Sequence, residues 1–160
     1  VAMKRDKAIL GDVLEVAHAR RRNEADRDCF FELLGAMQAN QHLLSILTPR
    51  TTEARWLAVL GWAGRNLRAK HFDVYLLALE RDEAAVRLSA VTQLSRHRAR
   101  PQALKVLEKA LADKLVSVRL KAVRAGGDMD HPAVGKYLRA RQKIETDKQV
   151  LTALNRILKR

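Results

Sequence analysis

Two six-residue stretches recur 32 residues apart: Val86-Arg87-Leu88-Ser89-Ala90-Val91 and Val118-Arg119-Leu120-Lys121-Ala122-Val123, identical except for Ser89 against Lys121. A further step of 32 back reaches Ala54-Arg55-Trp56-Leu57-Ala58-Val59, which keeps the arginine, the alanine and the final valine. Repetition at this interval, in segments whose apolar residues recur at helical spacing, marks stacked helical units that cannot bury their apolar faces alone. Arg55, Arg87 and Arg119 therefore form one evenly spaced series.

The punctuation of the chain sets the expected units. Thr48-Pro49 breaks helix, because proline disfavours the helical conformation in the residue before it, and Thr51 or Thr52 can cap the next helix. A first pair of helices is expected over 51–80, with a turn from Gly64 to Lys70. A second is expected over 82–112, with Arg96-His97-Arg98-Ala99-Arg100 as its turn and Pro101 opening its second helix. A third is expected over 113–143, stopped internally by Gly126-Gly127-Asp128 with glycine supplying a left-handed cap, and with Pro132 opening the partner helix. A closing helix over 146–159 carries Val150, Leu151, Leu154, Ile157 and Leu158 on one stripe. Ahead of these, residues 1–50 read as an N-terminal helical cap or degenerate repeat, with helices over 4–22 and 25–39 and a short segment at 40–48. The whole chain, 51–160 as array and 1–50 as cap, is expected to be one all-α unit.

From Asp82 to Val86-Arg87 and Ala90, and from Asp113 to Val118-Arg119 and Ala122, the chain resembles the HEAT family, in particular the short HEAT-like repeats first named from phycobilisome lyases. The pattern of that family is Asp, a short gap, Val-Arg, then small and apolar residues, with a second helix that often begins near proline. The first unit keeps Arg55 and Ala58 but has no Asp before them, and the last helix has Asp147 and Val150 but Leu151 where arginine would stand. The resemblance spans about 51–158. It implies a right-handed α-solenoid of about three helix-pair repeats with one concave face. It also implies structural roles for Asp82 and Asp113, as caps, and for Arg55, Arg87 and Arg119, as bridges between neighbouring repeats.

Charge carries most of the functional information. The 160 residues hold 31 Lys/Arg against 18 Asp/Glu, net +13. Residues 1–80 contribute +2 and residues 81–160 contribute +11. Such a field attracts anionic partners. An acidic protein surface is the leading expectation, with sequence-independent binding of duplex DNA or structured RNA, or an anionic membrane surface, as alternatives. Within helix-pair turns, Arg65, Arg68, Lys70, Arg96, Arg98 and Arg100 are expected to form a basic edge. Lys105, Lys109, Lys136 and Arg139 are expected to line the face built by the second helices.

Chemistry is hard to find. His18, His42, His71, His97 and His131 have no histidine or cysteine at helical metal-site spacing, so no metal or cofactor is expected, and no small-molecule ligand is evident. His97 and His131 fall in expected turns and read as solvated. Cys29 beside Phe30 reads as core rather than nucleophile, and a single cysteine excludes an internal disulfide. Trp56 and Trp62, about 240° apart around one helix, read as one core and one exposed ring. The expectation is a non-enzymatic scaffold rather than a lyase-like or glycosylase-like relative. It is expected to be cytoplasmic, or the soluble part of a longer, membrane-tethered chain, since the sequence begins at Val1 with no signal peptide in view.

Overall fold

Apolar residues at every third or fourth position become buried stripes. The computed structural model describes residues 47, 50–65, 72–97, 101–129 and 131–159. Among them are seven α-helices and no strand: α1 (Glu53–Arg65), α2 (Phe72–Ala78), α3 (Ala84–Leu94), α4 (Gln102–Leu111), α5 (Val116–Gly127), α6 (Val134–Gln142) and α7 (Lys148–Leu158). One 3-10 turn, Ser95–His97, continues α3. The expected helices at 4–22 and 25–39 lie outside the described residues, as does the segment 40–48 apart from Leu47, which packs half-buried against the core.

α4 shows how the pattern works. Ala103, Val106, Leu107, Ala110 and Leu111 recur at i, i+3, i+4, i+7 and i+8 and are all buried. Gln102, Lys105 and Glu108 face outward. α3 and α5 are more enclosed, and their repeated residues occupy matching buried places: Val86 and Val118, Ala90 and Ala122, Val91 and Val123. α1 packs on α3, α3 on α5 and α5 on α7; α2 packs on α4 and α4 on α6. Helices one unit apart in sequence are thus neighbours in space, in two rows.

The repeated arginines join these units. Arg87 donates through Nη1 to the carbonyls of Arg81 and Asp82, at 2.7 and 2.8 Å, and through Nε to Asp113 Oδ2 at 2.8 Å. Arg119 repeats the arrangement one unit on: Nη1 donates to the carbonyls of Asp113 and Lys114, and Nε and Nη2 donate to Glu145 at 2.9 Å each. Each acid lies 26 residues after its arginine. The same step from Arg55 reaches Arg81, not an acid. Arg81 instead donates to Glu83 and to the Thr51 carbonyl, with its guanidinium 5.9 Å from the Trp56 ring centre.

Several expectations are corrected. Asp82 caps nothing. The N-cap of α3 is Glu83, without a side-chain cap, and the Asp82 carboxylate is fully exposed, 3.7 Å from Lys114 Nζ. It is the backbone carbonyl of Asp82 that Arg87 uses. Asp113 accepts from the Leu115 N–H rather than capping within α5, whose N-cap is Leu115. Asp147 is the carboxylate that does cap: its Oδ1 accepts from the Gln149 and Val150 N–H groups.

Gly64 and Arg65 belong to α1 rather than to a turn. Gly126 and Gly127 lie within α5, and the helix ends at Asp128 with a right-handed φ of −92°. The glycines serve close packing instead. A Cβ on Gly127 would lie 2.7 Å from Ile157 Cδ1, and one on Gly126 would press on Leu138 and Leu107 at 3.3–3.4 Å. Both tryptophans are buried, at 3% and 1% exposure. Rings 240° apart on one helix are both covered only when that helix is enclosed on two sides.

Candidate binding groove

Ion pairing inside the fold decides which charges remain outside it. In the second half, Asp113 is taken by Arg87, and Glu145 by Arg119 and Arg141. Glu83 is taken by Arg81, and Glu80 by Lys109 at 2.7 Å. Asp147 is occupied as a cap. Glu108 and Asp128 stay exposed and Asp82 meets only Lys114 at 3.7 Å, but exposed lysine and arginine outnumber them. Among the described residues, Lys105, Lys121, Arg124, Lys136, Arg139, Lys143, Lys148 and Arg156 are exposed and form no ion pair.

Glu145 shows the cost and reward of such commitment. Its buried carboxylate accepts from Arg119 and from Arg141 Nε at 2.8 Å, and from the Thr146 and Asp147 N–H groups at 3.0 Å each. Hydrogen bonds from Arg119 above all, then from Arg141 and the two amides, hold its pKa far below the usual carboxylate range, against the opposing effect of burial. The Arg119 pKa is raised, chiefly by the same hydrogen bonding. These perturbed groups lie between helices and hold them together.

Tyr75 is the other strongly perturbed group. Burial pushes its phenol well above the ordinary tyrosine value, with nearby Arg96 opposing. Its Oη lies 3.0 Å from His97 Nε2, and Phe72 meets the His97 ring edge-on at 5.0 Å between centres. His97 is therefore not solvated: it is 2% exposed. The 3-10 continuation of α3 carries its ring inward onto α2. His131 is half-buried and its Nδ1 accepts from the Ala133 N–H.

A groove of about 700 Å³ runs between α5 and α7. Leu120, Ala153 and Ile157 make its half-buried apolar floor. Arg124 stands on the α5 wall, and Lys148 and Arg156 on the α7 wall. Gln149 and Thr152 add neutral polar groups, and Asp128 marks the end where α5 stops. Gly127 lets Ile157 lie close against α5, which closes the floor.

The sequence-expected cations are distributed differently. Arg68, Lys70, Arg98 and Arg100 lie outside the described residues. Arg65 is the last residue of α1, and Arg96 is exposed in the 3-10 turn. Lys105 on α4 and Lys136 and Arg139 on α6 are exposed. Lys109 is committed to Glu80, with a longer contact of 3.4 Å to the Leu76 carbonyl. These residues belong to the row of second helices, whereas the groove lies in the row of first helices. Two of its three cations were legible by the same arithmetic that located the ladder. Thr92, Arg124 and Arg156 are successive members of the 32-residue register, neutral on α3 and cationic on α5 and α7.

Among the described residues, no group of three His, Cys, Asp or Glu side chains is placed to hold a metal ion, and no helix is long and apolar enough to cross a membrane. Comparisons of the chain with family models, with curated proteins and with solved structures return no match.

Proposed function

We propose that this chain is a right-handed α-solenoid of HEAT-like helix pairs acting as a non-catalytic scaffold for an acidic protein partner. One observation carries the reading: Asp113 and Glu145 are held in internal pairs, while Lys121, Arg124, Lys136, Arg139, Lys148 and Arg156 on α5, α6 and α7 are exposed without an ion pair and outnumber the exposed acids there. An excess of one sign displayed beside a groove steers partners of the opposite sign and suppresses the wrong ones. Successive arginines bridging successive units support the repeat architecture, as does the neighbour-to-neighbour packing in two rows. A non-catalytic role is supported by where the perturbed groups sit: Glu145 and Tyr75 are shifted by partners and burial between helices, not in the groove.

The test is fluorescence anisotropy with labelled polyglutamate, duplex DNA, structured RNA and single-stranded DNA, and co-sedimentation with anionic vesicles, through a salt series. Polyglutamate should bind more tightly than the nucleic acids and the vesicles at every salt concentration, and all binding should weaken as salt screens the surface charges. Nucleic-acid binding tighter than polyglutamate binding, with the steep salt slope of phosphate contacts, overturns the acidic-protein reading.

A further inference from the structure

The α5–α7 groove is neither a plain cationic patch nor a plain apolar one. Its floor is Leu120, Ala153 and Ile157, and its rim is Arg124, Lys148 and Arg156. We propose that this groove docks an amphipathic helix from the partner, with an apolar stripe against the floor and acidic residues along both edges. This rests on the acidic-partner reading and gives it a place and an occupant.

The dimensions fit that occupant. Leu120 and Asp128 lie eight residues apart along α5, so the groove is roughly 12 Å long at a 1.5 Å rise per residue. Two turns of helix span roughly 11 Å and present anchors at i, i+3 or i+4, and i+7. On the α7 wall, Lys148 and Arg156 are also eight residues apart. Two carboxylates about two turns apart on one flank of the docked helix meet both. Arg124 shares its register with Arg156 across the groove, so a carboxylate on the opposite flank meets it at the same level. Asp128 repels an acid at the open end, which sets where along the partner the acids must lie.

The same chemistry disfavours other occupants. A phosphate backbone satisfies the cations but brings no apolar surface to cover Leu120 and Ile157. An extended peptide lays its backbone N–H and C=O groups over an apolar floor with no sheet edge to pair them, whereas a helix satisfies its own. A flat bilayer does not reach the floor of a groove between two helices.

The experiment is selection of a phage-displayed library of random 16-residue peptides against the whole chain. Enriched peptides are then titrated against the parent protein, R124E/R156E and T152W. All three substituted positions are exposed, so circular dichroism should show an unchanged helical signal. T152W fills the groove without altering its charge. The expected result is enrichment of helical-period apolar residues flanked by Asp and Glu, with affinity falling roughly tenfold or more in each variant. Acidic peptides that bind all three proteins equally overturn the groove assignment and leave the acidic-partner reading standing. Enrichment without acidic residues overturns both. Duplex DNA binding that is lost in both variants gives the groove to nucleic acid and likewise overturns the proposal.

Discussion

Arg119 and Glu145 meet as a two-pronged pair: Nε to Oε2 and Nη2 to Oε1, each at 2.9 Å, with the carboxylate wholly buried. The arginine stands on α5, and the glutamate lies in the segment leading to α7. The pair therefore fastens one helical unit to the next. Arg87 and Asp113 do the same one unit earlier, at the same separation of 26 residues. Glu145 takes five donors and Asp113 three, so the two joints differ in how much each acid leaves stranded when removed.

Removing Glu145 strands two guanidinium groups. E145A should cost about 3–5 kcal/mol, the range for breaking one side of a buried ion pair. D113A should cost less. Urea denaturation of both variants measures this, with the midpoint moving and the slope unchanged if the fold still unfolds in one step.

Acid should loosen the same joint. The Glu145 pKa is depressed in the folded chain, so its contribution is complete above the unfolded glutamate value of about 4.3 and is lost as pH falls from there towards the folded value. Thermal melts should change little through Glu145 between about pH 7 and 5 and fall below about pH 4. In E145Q that acid limb should be shallower, though the variant starts less stable.

Alkali acts on Tyr75 with the opposite sign. Its folded pKa is raised, so the stabilisation is complete below the unfolded value of about 10 and is lost as pH rises above it. Y75F should lose about 1 kcal/mol at neutral pH with the contact to His97, and its melting temperature should decline less than that of the parent above about pH 10.

Gly127 offers a test of packing against propensity. Alanine is favoured over glycine in helices by about 1 kcal/mol, but the new methyl collides with Ile157. G127A should therefore destabilise the parent, and the sign should reverse in an I157A background. Chemical denaturation of the four proteins closes the cycle.

Lys109 and Glu80 pair at 2.7 Å, but their side chains are 37% and 61% exposed. K109A should change stability by less than about 1 kcal/mol, as exposed pairs do. Because Lys109 is already matched, the same variant should leave acidic-peptide affinity within about twofold.

Much was legible in the sequence because helix periodicity is a local property. Residues three and four apart share a face whatever surrounds them, so the stripes of α4 and α7 could be read directly. The 32-residue register aligned Arg87 with Arg119 before any contact was known. The acids that answer those arginines were harder to see. One is an aspartate and the other a glutamate, both lie between helices, and Asp82, expected to be a cap, lends only its carbonyl.

The remaining features depend on distances between helices, which spacing along the chain does not encode. His97 is buried because a 3-10 turn carries it onto Phe72 and Tyr75. Trp56 and Trp62 are both buried because α1 is enclosed on two sides. Gly127 sits at a helix end, as the sequence suggested, but what requires it is Ile157 on another helix. The groove has the same cause: Arg124 and Arg156 are 32 residues apart in sequence, and only the packing of α7 on α5 makes them opposite walls of one site.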